Sequence, residues 1–307
     1  MPPNKYGKVA VLLGGESNER EISIESGKAV FDALQSCNIE SFLIDPKIDS
    51  LNLIKKSDRA FICLHGKDGE DGKIQAYLDK INIPYTGSDA KSSRLGMDKF
   101  LSKSIWNEKG VKTPAFIKID SETKFKSIEQ KLGLPFFLKP VNSGSSLGIN
   151  KVFNESQFYE SFKEAYEIDS LVIAEAMIDG REFTLPILKN IPLSLIEIRT
   201  KTDFYDYEAK YVEGGSEHVV PANLPQDIFS ACLDYALKAH EVLGCRGISR
   251  TDFRWDEGRG LDGLILLETN TQPGMTPTSL SPEQAEAVGI SFPDLCKFLV
   301  EDASCNR

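Results

Sequence analysis

The stretch GLILLETNTQPG, Gly263–Gly274, combines a run of apolar residues with two oxygen-bearing side chains at its end. The run Leu264–Leu267 predicts a buried strand, which continues through Glu268 and Asn270 and stops at a Gln-Pro-Gly turn. Residues two apart on a strand share a face, so the Glu268 carboxylate and the Asn270 amide point the same way. A buried strand that ends in this manner indicates a polar site.

A second segment supplies groups that could complete this site. Asp252 follows the apolar start of GISRTD, and Arg250 lies two positions earlier, on the same face of the predicted strand. Two carboxylates and one amide oxygen are hard ligands, which favour Mg²⁺ over zinc. Polar residues also collect at solvated strand ends, which is the alternative interpretation. Like charges on adjacent strands repel unless a cation lies between them, so the pattern favours a metal, with Arg250 on a substrate oxygen.

Composition limits the class of protein. The chain has 307 residues, 41% hydrophobic and 27% charged, which is typical of a globular protein with two or three domains. A net charge of −10 argues against nucleic acid or a membrane as a partner, but a local group of cations could still bind a small anion. The six cysteines form no C-x-x-C pair, and no apolar run approaches the roughly 20 residues of a membrane span. We therefore expect a cytoplasmic protein with reduced thiols.

The order of apolar segments predicts mixed α/β and α+β architecture. Residues 1–95 alternate short strands with helical patterns, which predicts a parallel sheet with helices on both faces. Residues 96–185 contain short strands close in sequence, typical of a small antiparallel α+β domain, and residues 186–307 form the third part. The polar, tyrosine-containing stretch 200–225 is long for a connection and predicts a lid or binding loop.

Several further residues have two interpretations each. The loop NSGSSLG, 142–148, follows a strand that contains Lys139; it could bind an anion through backbone N–H groups, or be a hairpin turn beside an exposed lysine. Glu19 near a helix start could hold an ammonium group or only complement the helix dipole. The residues alone leave His65 and Lys99 undecided, whereas His218 and His240 are expected on the surface.

Taken together, these segments resemble the ATP-grasp ligases, and within them the D-alanine–D-alanine ligase family. The resemblance spans nearly the whole chain in order, through VAVLLGGESNEREIS, LHGKDGEDGKIQAYLDKINIPYTGS, MDKFLSK, LGLPFFLKP, SGSSLGI, GREFT, FYDYEAKY, GCRGISRTDF and LLETNTQPGMT. It implies an ATP-grasp fold with an N-terminal parallel-sheet, Rossmann-like domain. It also implies ligation of two D-alanines with ATP, through a D-alanyl phosphate, for peptidoglycan precursors, in a homodimeric enzyme.

The resemblance also implies roles for individual residues. Two Mg²⁺ ions, replaceable by Mn²⁺, would be held by Asp252, Glu268 and Asn270. ATP would meet the residues Lys99, Lys139, Ser143, Gly144, Ser145, Ser146, Glu175, Ile178 and Glu182. The first D-alanine would be bound by Glu19, with His65 also in the substrate site, and Arg250 with the Gly274 N–H would form an oxyanion hole. Ser279 and Leu280 would hold the second D-alanine, and Lys210 and Tyr211 would belong to the lid, with Tyr211 bonded to Ser145.

The chain departs from the family pattern at three places, none of which is a presumed catalytic position: Ala176 replaces a common lysine, the flap begins VNSG, and one strand contains ISRTDF. The nearest rival function is a D-alanine–D-lactate ligase, against which Tyr211 argues because those ligases lack this tyrosine. A dinucleotide-binding oxidoreductase would need G-x-G-x-x-G, which is missing. A silent ATP-binding regulator would lack a metal ligand, and none is lost.

Overall fold

A computed structural model of the chain describes residues 5–200 and 215–305. The strands are β1 Val9–Leu12, β2 Ser41–Ile44, β3 Arg59–Ile62, β4 Phe116–Ile119, β5 Phe136–Pro140, β6 Asn150–Val152, β7 Val172–Ala176, β8 Arg181–Leu188, β9 Ile191–Pro192, β10 Ile196–Thr200, β11 Ser216–Val219, β12 Ile248–Trp255 and β13 Leu264–Asn270. The α-helices are Arg20–Ser36, Lys73–Lys80, Ala90–Met97, Lys99–Glu108, Phe125–Leu132, Glu155–Ile168, Gln226–Leu243, Leu280–Glu286 and Phe292–Asp302. Short 3-10 helices cover Leu51–Lys56 and Glu257–Gly263.

The N-terminal sheet is parallel and has the order β2-β1-β3. All four residues of the central strand β1 are buried, because apolar groups cover both faces of the sheet. Val9 and Val11 pack in one core with helices Arg20–Ser36 and Phe292–Asp302, while Ala10 and Leu12 pack in the other. The predicted parallel sheet with helices on both faces is confirmed.

The second sheet is antiparallel, has the order β4-β7-β5-β6, and packs one face into an apolar core. Phe136 and Leu138 of β5 pack with Val172 and Ala174 of β7 in a core shared with helix Glu155–Ile168. Because side chains alternate along a strand, the residues between them face the other way. The opposite face therefore carries the residues Phe137, Lys139, Ile173 and Glu175.

The third sheet is antiparallel, with the order β11-β10-β8-β12-β13 and β9 added to β8. Helix Gln226–Leu243 covers its apolar face, where Phe183 and Phe253 pack against Cys232 and Ala236. The strands β12 and β13 are those predicted from the two polar-ended segments. The register shifts once, between Asp252 and Phe253.

Three details bear on the predictions. His240 was expected on the surface, and this is wrong: it is 1% exposed and its Nδ1 lies 2.7 Å from the Ser249 hydroxyl. The division into domains of residues 1–95, 96–185 and 186–307 stays a prediction. Helix Phe292–Asp302, which belongs to the last of these parts, packs on the N-terminal sheet. Among the described residues, no helix combines the length and apolar character needed to cross a membrane.

Candidate active site

The polar residues of β12 and β13 meet on one face of the third sheet. Asp252 lies directly opposite Glu268, and Arg250 lies directly opposite Asn270. Directly opposed residues of an antiparallel pair project to the same side, with Cβ atoms about 5 Å apart. All four residues line a single cavity.

The Asp252 carboxylate already has a cationic partner in this structure. Arg250 donates from Nε to Oδ1 at 2.9 Å and from a terminal nitrogen to Oδ2 at 2.8 Å, and the Thr184 hydroxyl donates to Oδ1 at 2.6 Å. The guanidinium thus supplies a positive charge directly beside the Asp252 carboxylate. Within residues 5–200 and 215–305, no group of three His, Cys, Asp or Glu residues forms a metal site. Two carboxylates plus the Asn270 amide nevertheless match the oxygen ligands of Mg²⁺.

Four cations face this cavity, although the chain as a whole is acidic. Lys99, Lys103, Lys139 and Arg250 all line it. The Lys99 ammonium is buried and donates to the Ser143 carbonyl. Burial lowers the pKa of Lys99, while Glu268 opposes and the positive charge of Lys139 adds to this effect. Lys99 and Lys103 are buried, and Lys139 and Arg250 are partly buried. A group of cations of this kind suits an anionic ligand with several charges.

Lys139 is partly buried and ion-paired rather than exposed, so the alternative of an exposed lysine in a hairpin turn does not hold. Its side chain is 13% exposed, and Nζ lies 2.5 Å from Oε1 of Glu175. The other carboxylate oxygen of Glu175, Oε2, lies 2.8 Å from Nζ of Lys103. Burial alone would raise the pKa of Glu175, but the two ammonium groups outweigh it and lower that pKa.

The glycine-rich loop lies between β5 and β6 and reaches the N-terminal helix. Ser145 and Ser146 adopt left-handed backbone angles, with φ of 46° and 60°. The Ser145 hydroxyl donates to Oε1 of Glu19. A Cβ at Gly144 would lie 3.0 Å from Oε2 of Glu19, so the loop backbone passes close to this carboxylate. Loop and helix start thus enclose one side of the cavity.

His65 and Glu70 form a buried pair beside Glu19. Nδ1 of His65 lies 3.0 Å from Oε1 of Glu70. Burial lowers the pKa of His65, but the Glu70 carboxylate outweighs this, and the resulting pKa is raised above its ordinary value. Nε2 of His65 is buried and has no hydrogen-bond partner within the described part of the chain, although the residue lines the cavity. This nitrogen is therefore available to a ligand.

Ser279 and Leu280 lie at the start of helix Leu280–Glu286, on the cavity wall. The Ser279 hydroxyl is 2.7 Å from the Thr276 hydroxyl and accepts from the Thr276 N–H at 3.0 Å. A Cβ added to Gly274 would lie 2.9 Å from the Ser279 oxygen, so the backbone at Gly274 passes very close to this serine.

The remaining predicted residues are distributed as follows. Glu182 lines the cavity, and its Oε2 accepts from Arg254 at 2.7 and 3.1 Å. Ile178 lies between β7 and β8, and neither it nor Glu175 lines the cavity. Ser143 and Ser146 do line it. Lys210 and Tyr211 lie outside the described residues, as does most of the predicted loop 200–225.

Three residues that line the cavity or contact its lining are missing from the sequence predictions: Lys103, Glu70 and Arg254. Lys103 is four residues after Lys99 in MDKFLSK, a spacing that places both lysines on one face of helix Lys99–Glu108. That spacing could have indicated a second lysine beside Lys99, although not its burial. Arg254 lies two residues after Asp252, so the two-residue repeat of a strand could have placed it on the same face. For Glu70 the sequence carries no comparable signal.

Comparison with known proteins agrees with this geometry. A family model described as the D-ala D-ala ligase C-terminus matches residues 105–301, and one for the N-terminus matches residues 44–88. A D-alanine–D-alanine ligase of Ruegeria sp. (strain TM1040) is 49% identical over 98% of this chain and 97% of its own. One of Nitrosomonas europaea is 45% identical over 100% of both chains. The crystal structure of a Bacillus anthracis D-alanine–D-alanine ligase complexed with ATP has a TM-score of 0.85 at 30% identity, covering 96% of this chain and 97% of that one.

The fold is therefore the ATP-grasp fold with an N-terminal parallel sheet, as predicted. This fold, with a cation-lined cavity on its sheets, defines an ATP-dependent ligase. The chain belongs to the D-ala D-ala ligase family. Membership excludes the alternative of a dinucleotide-binding oxidoreductase.

Proposed function

We propose that this protein joins two D-alanines to D-alanyl-D-alanine through a D-alanyl phosphate, with release of ADP and phosphate, as a step toward peptidoglycan precursors. The observation that carries the proposal is the convergence of four cations and the Asp252–Glu268 pair on one cavity. Relatives of nearly equal length, all named D-alanine–D-alanine ligases, support the choice of substrate.

The chemistry requires activation, because a carboxylate is a poor electrophile and amide formation from it is uphill in water. A carboxylate oxygen of the first D-alanine attacks the γ-phosphorus of ATP, and the bond to ADP breaks. The amine of the second D-alanine then attacks the carbonyl carbon, loses a proton, and displaces phosphate. The protein contributes position and charge rather than covalent chemistry.

The nucleotide end of the cavity has the groups needed for a triphosphate. Lys99 and Lys139 would neutralise phosphate oxygens, with the loop Ser143–Ser146 closing over them through its backbone N–H groups. Glu182 would accept from the ribose hydroxyls, and the hinge at Glu175 and Ile178 would meet adenine. Two Mg²⁺ ions, or Mn²⁺, when held by Asp252, Glu268 and Asn270, supply the positive charge that phosphoryl transfer requires.

The amino-acid end of the cavity has complementary groups. Glu19 would pair with the ammonium of the first D-alanine, and Nε2 of the nearby His65 is free to contact the same substrate. Arg250 and the Gly274 N–H would stabilise the oxyanion. Ser279 and the Leu280 backbone would hold the carboxylate of the second D-alanine.

The test is turnover with a stereochemical control. Incubation with ATP and MgCl₂ should yield equal amounts of phosphate and dipeptide from D-alanine, and neither from L-alanine. Phosphate without dipeptide, or equal turnover of both enantiomers, would contradict the proposal. The homodimer remains a prediction from the resemblance, and the cytoplasmic location remains a prediction from composition. The D-lactate alternative depends on Tyr211, which lies outside the described residues.

A further inference from the structure

Lys103 is a lysine with three oxygen partners and almost no contact with solvent. Its side chain is 2% exposed, and Nζ lies 2.8 Å from Oε2 of Glu175. The same nitrogen donates to the Leu267 carbonyl at 2.6 Å and to the Thr113 hydroxyl at 3.2 Å. Two of the three ammonium protons thus have oxygen acceptors, and the Glu175 carboxylate is held by Lys103 as a buried ion pair.

The Glu175 carboxylate is shared between two lysines. Lys139 takes Oε1 and Lys103 takes Oε2, and the carboxylate is 2% exposed. On the paired strands β5 and β7, Lys139 lies opposite Ile173, which is two residues before Glu175. Lys139 and Glu175 are therefore diagonal neighbours on the same face of the sheet. The negative charge of Glu175 is thus shared between Lys139 and Lys103.

We infer that Lys103 is a positioning residue of the nucleotide site: by holding one oxygen of Glu175, it limits the pull of that carboxylate on Lys139 and leaves the Lys139 ammonium able to serve a phosphate. The inference rests on the proposed function, since it concerns how the ATP phosphates are bound. Lys103 acts through Glu175 and Lys139, and its effect depends on both.

Loss of Lys103 should weaken nucleotide binding. In Lys103→Met, the full charge of a buried carboxylate acts on Lys139 alone, and attraction between charges in a protein interior is much stronger than in water. We expect the Kd for ADP, titrated calorimetrically in excess MgCl₂, to rise about tenfold, with the KM for D-alanine within about twofold of wild type. The matched control is Lys112→Met, which makes the same change at a lysine that is 43% exposed and paired with Asp262.

The distinguishing readout is a double-mutant cycle with Lys139→Met. If Lys103 acts through Lys139, adding Lys103→Met to Lys139→Met should change the Kd for ADP by less than about threefold. If the increase in the Kd for ADP in the double variant equals the product of the increases in the two single variants, the inference is overturned. An unchanged Kd in folded Lys103→Met would also overturn it. A merely structural role would lower stability in urea without this coupling.

Lys103→Met leaves Glu175 with one partner and could fail to fold, because removal of one member of a buried ion pair is destabilising. Lys103→Met combined with Glu175→Gln avoids the unpaired charge. Its Kd for ADP should lie within about threefold of that of Glu175→Gln alone, and a further tenfold loss would overturn the inference. If wild type fails to make dipeptide, the proposed function fails; if wild type is active and Lys103→Met binds ADP normally, only the role of Lys103 fails.

Discussion

Replacing Lys139 by methionine removes one ammonium from the cavity and keeps the length of the side chain. Lys139 is 13% exposed, and its only ion-pair partner within the described residues, Glu175, also contacts Lys103. The carboxylate therefore keeps a cation in the variant, and the loss of stability should stay below the roughly 3–5 kcal/mol expected when a buried charge loses its sole partner. The variant should fold.

The effect on nucleotide binding follows from the lost charge. A hydrogen bond to a charged group contributes about 1.5–3 kcal/mol. At about 1.4 kcal/mol for each factor of ten, Lys139→Met should raise the Kd for ADP roughly ten- to 150-fold. The assay is calorimetric titration of ADP in excess MgCl₂, with unfolding in urea as a check on the fold.

Lys118→Met is the matched control. Lys118 on β4 and Lys139 on β5 lie on either side of the same residue of β7, Ile173, but Lys118 is exposed. A Kd for Lys139→Met within twofold of that of Lys118→Met would refute the assignment of Lys139 to the phosphates.

Three further outcomes are expected. Glu268→Ala and Asp252→Ala should fold but lose ligation at every MgCl₂ concentration, measured as phosphate release, and near-normal turnover in either would contradict the metal assignment. Burial lowers the pKa of His240 to about 4, so the stability gained from its neutral form is present above about pH 6.5 and is lost as the pH falls toward 4. Between pH 7 and 4, the free energy of unfolding in urea should therefore fall by about 3 kcal/mol less in His240→Gln than in wild type. An equal fall in the two proteins would contradict this. Gly180→Ala should lower the free energy of unfolding by at least about 2 kcal/mol, because Gly180 has φ of 111° and a Cβ would lie 2.1 Å from the Trp255 carbonyl oxygen. An unchanged midpoint of unfolding in urea would contradict this and show that the backbone relaxes.

Local patterns were enough to predict the elements that carry the site. The apolar run before Glu268 and the two-residue repeat of a strand predict that Glu268 and Asn270 share a face, and the register agrees. Tyr85, which follows helix Lys73–Lys80, forms isolated bridges with Ala60 and Ser304 rather than a strand. The preceding residue, Pro84, has no N–H to donate to a longer ladder.

Long-range partners could not be predicted in the same way. A lysine within a helical pattern is ordinarily a solvated residue, and Lys103 is buried only because β7 and β13, from different sheets, both approach it. The Arg250–Asp252 pair was expected to share a face, but its bidentate contact depends on side-chain conformations that sequence does not specify. His240 was wrongly expected on the surface because its partner, Ser249, comes from the next strand.

The central claim is ligation through a D-alanyl phosphate, and oxygen transfer tests it most directly. D-alanine labelled with ¹⁸O in its carboxylate should be incubated with unlabelled ATP, MgCl₂ and the enzyme, and the released phosphate analysed by mass spectrometry. The carboxylate oxygen that attacks the γ-phosphorus leaves with it, so each phosphate formed together with a dipeptide should carry one ¹⁸O. Dipeptide accompanied by unlabelled phosphate would contradict the account.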